Sequence, residues 1–274
     1  MVVFPNAKIN LGLNIISKRP DNYHNIETLF YPIGLSDILE VVPISASVER
    51  SLISLSGIVV DGEPKDNLVM KAYHLLAEWF DMPAVQIYLD KNIPFGAGLG
   101  GGSSDAAFML RLLRDKFDLP VEDDELLSLA VKLGADCPFF LLNCPMMARG
   151  IGNEFEQVDF SLFGKFIVLI KPSVKISTPE AYALVKPNRP EISIPEILKM
   201  PIKEWKDLLK NDFEESVFYR YPVIRTIKER LYFKGAVYAS MSGSGSSVFG
   251  IFDHPVDVKD DFPTCFVWQG NCGY

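Results

Sequence analysis

The stretch PFGAGLGGGSSDAA, residues 94–107, constrains this chain more than any other part of it. Five of its fourteen residues are glycine and two are serine, and a simple turn needs only one or two glycines. Before it, Val85–Leu89 alternates apolar and polar residues like a strand. After it, Ala106, Met109, Leu110, Leu113 and Phe117 recur at the spacing of one apolar helix face. A strand, a glycine loop and a helix therefore follow one another. Ser103 or Ser104 is expected at the N-cap. The first turn of such a helix leaves backbone N–H groups without intrahelical partners, and its dipole adds partial positive charge. An anion, typically a phosphate, suits that place. Glycines let the backbone approach it closely.

Other glycine loops fit less well. No lysine follows a glycine at the G-K-[ST] position, so this is not a P-loop. Gly96, Gly98 and Gly101 spell G-x-G-x-x-G, but the strict βαβ surroundings of a dinucleotide fold are missing. The V-A-I-K, H-R-D and D-F-G stretches of protein kinases are absent.

The chain has 274 residues, 48% hydrophobic and 23% charged, with a net charge of −8. This balance is that of a globular protein with a sizeable core. An acidic chain without a Lys/Arg block is a poor partner for nucleic acid or an anionic membrane surface. The longest apolar runs, such as Phe139–Leu142 and Phe166–Ile170, read as short core strands rather than membrane spans. The N-terminus lacks the pattern of a secretory leader, and a cytoplasmic location is expected. Cys137/Cys144 and Cys265/Cys272 do not have zinc-type spacing and read as idle thiols, with Cys272 a candidate exposed one.

Short apolar pieces at Val2–Phe4, Ile9–Ile16, Ile26–Tyr31, Ile38–Val42 and Leu52–Leu55 read as a meander of strands. Helices are predicted over Asp66–Phe80, capped by Asp66, and over Glu122–Lys132. The pattern loosens at Gln157–Gly164, which suggests domains at 1–158 and 159–274. Beyond that point strands are predicted at Phe166–Ile170, Ala236–Ala239, Ser247–Phe252 and Cys265–Trp268. Helices are predicted near Pro179–Val185 and Val223–Phe233. Strands and helices are grouped rather than alternating, so the expected class is α+β with two domains.

The motif P-x-G-x-G-L-G-G-G-S-S-D at Pro94–Asp105 resembles that of the GHMP small-molecule kinases. PNAKINLGL at Pro5–Leu13 and MSGSGSSVFGIF at Met241–Phe252 resemble the family's first and third motifs. The resemblance implies an N-terminal domain like ribosomal protein S5 domain 2 and a ferredoxin-like C-terminal domain. It also implies ATP as co-substrate, with Mg²⁺, whose protein ligands the sequence does not identify. Further stretches, RPDNYH (19–24), DNLVMKA (66–72), LGADCPFF (133–140) and STPEAY (177–182), point within the family to one acceptor. This is the 2-hydroxyl of 4-diphosphocytidyl-2-C-methyl-D-erythritol, in the non-mevalonate route to isoprenoids. Another small-molecule kinase of the family, or a catalytically silent nucleotide sensor on the same fold, is the alternative.

Residue by residue, the resemblance implies that Asp136 orients the acceptor hydroxyl and takes its proton, and that Lys8 stabilises charge on the transferring group. Pro94, Phe95, Gly96, Ala97, Gly98, Leu99, Gly100, Gly101, Gly102, Ser103 and Ser104 would hold ATP phosphates, with Asn67, Leu68 and Lys91 around the adenosine. Asn10 would fix the hydroxyl, and Tyr23, His24 and Tyr182 would read the cytosine, Tyr23 and Tyr182 by stacking. Gly243 and Gly245 would help close the site. Read singly, Asp136 is a turn residue, Lys8 a solvated strand lysine, Asn10 an edge-strand polar group, and DNL a capped helix start. Asn22 stands where the family usually has glycine, and it too tolerates a left-handed turn.

Overall fold

The computed structural model describes residues 1–44, 51–59, 63 and 66–272. In chain order the strands are β1 (Val2–Val3), β2 (Asn6–Lys18), β3 (His24–Ser36), β4 (Ile38–Pro43), β5 (Leu52–Gly57), β6 (Val85–Lys91), β7 (Met146–Arg149), β8 (Glu154–Gln157), β9 (Phe166–Lys171), β10 (Tyr238–Met241), β11 (Val248–Phe252) and β12 (Phe266–Asn271). The helices are α1 (Leu68–Ala77), α2 (Gly101–Phe117), α3 (Asp123–Leu133), α4 (Cys137–Leu142), α5 (Thr178–Tyr182), α6 (Ile194–Leu198), α7 (Phe213–Arg220) and α8 (Pro222–Phe233). The class is α+β, as the grouping of elements predicts.

Contacts divide the chain into two compact units. The first holds Met1–Ala7, Leu35–Phe95 and Gly100–Asn143, and the second Lys8–Gly34, Gly96–Leu99 and Cys144–Tyr274. This grouping differs from a cut at residue 158. The reason lies in strand pairing: β3 takes β7 as its neighbour, which draws the N-terminal strands into one body with the C-terminal half.

In the first unit a sheet of order β1-β4-β6-β5 is antiparallel except for the β5–β6 pair. Leu39 and Val41 lie opposite Leu89 and Ile87 and are buried, while Glu40 and Tyr88 face away with the period of two that alternation dictates. The predicted face of α2 is buried at Ala106, Met109, Leu110 and Leu113. Three local expectations change. The cap of α1 is Asn67, whose Oδ1 accepts from the Val69 N–H at 2.9 Å, and not Asp66. The N-cap of α2 is Gly100 at φ 72°, so Ser103 and Ser104 sit inside the first turn. A left-handed glycine starts that helix before either serine is reached. Phe139–Leu142 is helical rather than extended: Pro138 opens α4, and Phe139 and Phe140 are buried along it.

The second unit contains two sheets. One has the order β2-β3-β7-β8, and its β7–β8 hairpin is not predicted from the sequence. The other, β10-β11-β9-β12, is antiparallel throughout. Numbered by appearance within this half, that order is 2-3-1-4, the ferredoxin-like plan, with a short 3₁₀ turn at Lys259–Asp261 before its last strand. Helices α7 and α8 bury Phe213, Val217, Ile224, Ile227 and Leu231 in its core. Cys272 is buried, not an exposed tail thiol: its N–H donates to the Lys165 carbonyl at 2.8 Å, and burial pushes the thiol up to about 12. All four cysteines are free. No helix among the described residues is long and apolar enough to cross a membrane.

Candidate active site

Lys8 and Asn10 stand two residues apart on β2 and therefore share one face. Both are buried, at 4% and 2% exposure, which is unusual for a strand lysine. Lys8 Nζ donates to Asn10 Oδ1 at 2.7 Å and lies 4.3 Å from the centre of the Phe30 ring. Asn10 Nδ2 donates to Thr28 Oγ1 at 3.0 Å, whose own hydroxyl donates to the Gly12 carbonyl. The solvated-lysine reading is thereby replaced by a buried, oriented cation, while Asn10 does lie on the edge strand of its sheet, where it is buried.

In the same unit, the glycine loop has its carbonyls tied back into the protein. The Lys8 N–H donates to Leu99 O at 3.0 Å, Ser242 Oγ to Gly98 O at 2.8 Å, and Ser247 N–H to Ala97 O at 3.3 Å. Gly96, Gly98 and Gly100 take φ values of 59°, 75° and 72°. Left-handed residues at alternate positions curl successive N–H groups into an anion-binding concavity. A side chain on Gly98 would meet the Ser242 carbonyl oxygen at 2.0 Å. One on Gly243 would meet Asn10 Oδ1 and Gly98 Cα, each at 3.3 Å. The Gly243 and Gly245 loop thus packs directly on the glycine loop, and Ser242, a residue the sequence reading passes over, is the latch between them.

In the first unit, α2 begins at Gly101, where a Cβ would meet Ile93 Cγ2 at 2.9 Å. Lys91 Nζ is buried and bonds two carboxylates, Asp37 and, at 2.5 Å, Asp105. Asp37 also accepts from the N–H groups of Asn92 and Ile93 at 2.5 and 2.7 Å. Desolvation pushes the Asp105 carboxyl up to about 8, against the pull of Lys91. The Lys91 ammonium is therefore committed to the protein, and Asn67 serves as a helix cap. The sequence offers no hint that Asp37 belongs to this group. Asp136 precedes α4, and its carboxylate does not cap that helix.

Also in the second unit, the ring stacked on Tyr182 is His24 and not Tyr23, at 4.5 Å between centroids and 15° between planes. Phe213 meets Tyr182 edge-on at 4.7 Å. Tyr23 is 62% exposed and does not pack in the core. Burial and the nearby Lys18 hold the His24 imidazole below its usual pKa. The turn before it survives the Asn22 replacement, with Asn22 at φ 68°. A capping box between Ser177 and Glu180 starts α5 and thus sets Tyr182.

The chain is similar to known proteins. The family model described as GHMP kinases N terminal domain matches residues 67–143, and that described as GHMP kinases C terminal matches residues 193–264. The fold and the glycine loop are those of a GHMP kinase, an ATP-dependent small-molecule kinase. The chain is 54% identical to a 4-diphosphocytidyl-2-C-methyl-D-erythritol kinase of Parabacteroides distasonis, over 98% of this chain and 99% of the relative. It is 55% identical to the kinase of the same name from Bacteroides fragilis, over 98% of each. The crystal structure of a 4-(cytidine 5'-diphospho)-2C-methyl-D-erythritol kinase superposes with a TM-score of 0.85, at 33% identity and full coverage of both chains. The chain belongs to the family of 4-diphosphocytidyl-2-C-methyl-D-erythritol kinases.

Proposed function

We infer that this chain transfers the γ-phosphate of ATP to the 2-hydroxyl of 4-diphosphocytidyl-2-C-methyl-D-erythritol, a step of non-mevalonate isoprenoid precursor synthesis in the cytoplasm. The observation that carries this reading is the His24–Tyr182–Phe213 aromatic group, a recognition surface suited to a cytosine ring. Tyr23 adds an exposed ring at its margin.

The acceptor oxygen forms its bond to the γ-phosphorus, the bond from that phosphorus to the β,γ-bridging oxygen breaks, and ADP leaves with the bridging oxygen. Asp136 orients the hydroxyl and takes its proton. Lys8, fixed by Asn10, meets the charge that develops on the transferring group. Asn10 would hold the hydroxyl. Residues Pro94–Ser104 hold the phosphates through main-chain N–H groups and the serine hydroxyls. Asn67 and Leu68 flank the adenosine, and Lys91 supports that wall through Asp37 and Asp105. In this reading residues 1–158 carry most ATP contacts, while 159–274 supply Tyr182 and the loop with Gly243 and Gly245.

Among the described residues no cluster of three or more acidic, His or Cys side chains could cage a metal. Nucleotide-bound Mg²⁺ does not need one, because it keeps phosphate and water oxygens. The buried Ser104 hydroxyl, without a hydrogen-bond partner in the first turn of α2, is a hard oxygen that fits it. Ser104 would hold Mg²⁺, which when bound neutralises phosphate charge.

The test is ADP release from ATP and Mg²⁺ with and without the cytidylyl substrate, beside Asp136→Asn. Substrate-dependent ADP is expected, falling about 100-fold or more in the variant, since a positioned acid–base group contributes that much. Turnover of a different alcohol, or ATP binding without ADP formation, overturns the reading.

A further inference from the structure

Asn211 lies outside every motif that the sequence singles out, yet it is 3% exposed and uses its whole side-chain amide. Nδ2 donates to the Met241 carbonyl at 2.8 Å and to the Gly243 carbonyl at 2.9 Å. Oδ1 accepts from the Phe213 N–H at 3.0 Å. The two carbonyls bracket Ser242, whose hydroxyl donates to Gly98 O and accepts from the Asn10 N–H at 3.3 Å. Phe213 is the ring that meets Tyr182 edge-on. The flanking chain is fixed too: Leu13 N–H donates to Lys210 O, Asp212 N–H to Leu13 O, and Ile15 N–H to Asp212 Oδ2. Lys210–Asp212 is thus stitched to the same strand that carries Lys8 and Asn10.

A primary amide with two donors and one acceptor filled in opposite directions acts as a spacer of fixed length. Its donor side sets the loop that latches the phosphate-binding glycines. Its acceptor side sets the aromatic ring that backs Tyr182. We propose that Asn211 is a positioning residue that fixes the distance between the phosphate end and the base end of the site, so that the γ-phosphate and the 2-hydroxyl of a cytidylyl alcohol meet in register. This rests on the function proposed above. Ser242 and Phe213 are the two arms through which it acts.

The chemistry predicts a kinetic signature. Asn211→Asp keeps the shape and the Oδ1 acceptor, but sets a carboxylate oxygen against two carbonyl oxygens. It releases the Ser242 arm and spares the Phe213 arm. Ser242→Ala releases the glycine latch alone, and Phe213→Leu the aromatic support alone. Misregister of about 1 Å between reacting atoms costs about 100-fold.

The experiment measures kcat and both KM values for the wild type, Asn211→Asp, Asn211→Ala, Ser242→Ala and Phe213→Leu, with Tyr238→Phe as control. Tyr238 is also buried, and its hydroxyl donates to Leu209 O at 2.8 Å rather than to a group of either arm. Thermal unfolding accompanies each variant. Amide exchange at 242–247 and 181–183 in wild type, Asn211→Asp and Asn211→Ala gives a readout that needs no turnover. Asn211→Ala should slow turnover by about a hundredfold or more, raise the KM for both substrates, and speed exchange in both segments. Asn211→Asp should raise the KM for ATP more than that for the acceptor and speed exchange at 242–247 only. Tyr238→Phe should lower the melting temperature and leave both KM values unchanged. The proposal is overturned if Asn211→Ala behaves like Tyr238→Phe, or if only one segment loosens in Asn211→Ala. It is also overturned if Asn211→Ala does not fold while Asn211→Asp keeps wild-type kinetics and exchange. Wild-type enzyme that fails to phosphorylate the cytidylyl alcohol would instead sink the substrate assignment, and the exchange data would still decide the role of Asn211.

Discussion

Replacing Gly98 by alanine probes the glycine loop where its geometry is tightest. The new Cβ would lie 2.0 Å from the Ser242 carbonyl oxygen and 2.8 Å from its carbon, both main-chain atoms. Real Cβ atoms stay beyond about 3.0 Å, so one of the two loops must move by about 1 Å. The movement breaks the Ser242 Oγ–Gly98 O bond and disturbs the Leu99 carbonyl that Lys8 N–H holds. At φ 75° alanine also carries a left-handed penalty of about 1–2 kcal/mol. Gly96 provides the internal control, with φ 59° and nothing within 4 Å of a Cβ. Gly96→Ala should therefore lose about 1–2 kcal/mol of stability and less activity than Gly98→Ala. Gly98→Ala should lose that and a further ~100-fold in kcat/KM for ATP, the cost of displaced reacting groups. Steady-state ADP release at varied ATP, with urea unfolding of each variant, measures both quantities. Equal kinetics for the two variants would refute the claim that close approach of the Ser242 loop shapes the phosphate cradle.

Lys91→Met should destabilise the protein by about 3–5 kcal/mol, because it leaves Asp37 and Asp105 buried without their cation; urea unfolding at neutral pH reads this. His24→Ala should raise the KM for the cytidylyl substrate about tenfold, the worth of a lost ring stack, and leave the KM for ATP nearly unchanged; movement of both together would count against a base-binding role. Burial, and then Lys18, lower the His24 pKa from its usual 6.5, so the imidazole takes its proton at more acid pH than a free histidine. The rise in acceptor KM on acidification should be centred below pH 6.5, and a rise centred above 6.5 contradicts this.

The features carried by local spacing were legible in the sequence. The strand before the glycine loop, the buried face of α2 and the left-handed Asn22 all follow from neighbours a few residues apart. The helix caps were misplaced by one to four positions, since Asp66 and Asn67 are both good caps and nothing local says that Gly100 opens α2 before the serines. Contacts between distant segments were not legible at all. Asp37 and Lys91 are 54 residues apart, and Ser242 reaches Gly98 across 144. Tyr23 and His24 are adjacent and both can stack. Only the backbone of β3, which starts at His24, decides that His24 turns toward Tyr182 while Tyr23 stays in solvent.

The pairing of β3 with β7 also bears on how the protein is made. Thr28 lies opposite Ala148 and Phe30 opposite Met146, so a chain leaving the ribosome has the free edge of β3 long before its partner exists. The rest of the first unit, Leu35–Phe95 and Gly100–Asn143, emerges in the interval. Long-range pairing of this kind slows folding, and an unpaired strand edge invites association with other chains. A transcript broken between the codons for residues 143 and 146 would yield a product with that edge permanently open. A strand made early thus gains its second neighbour only after the whole first unit has been made.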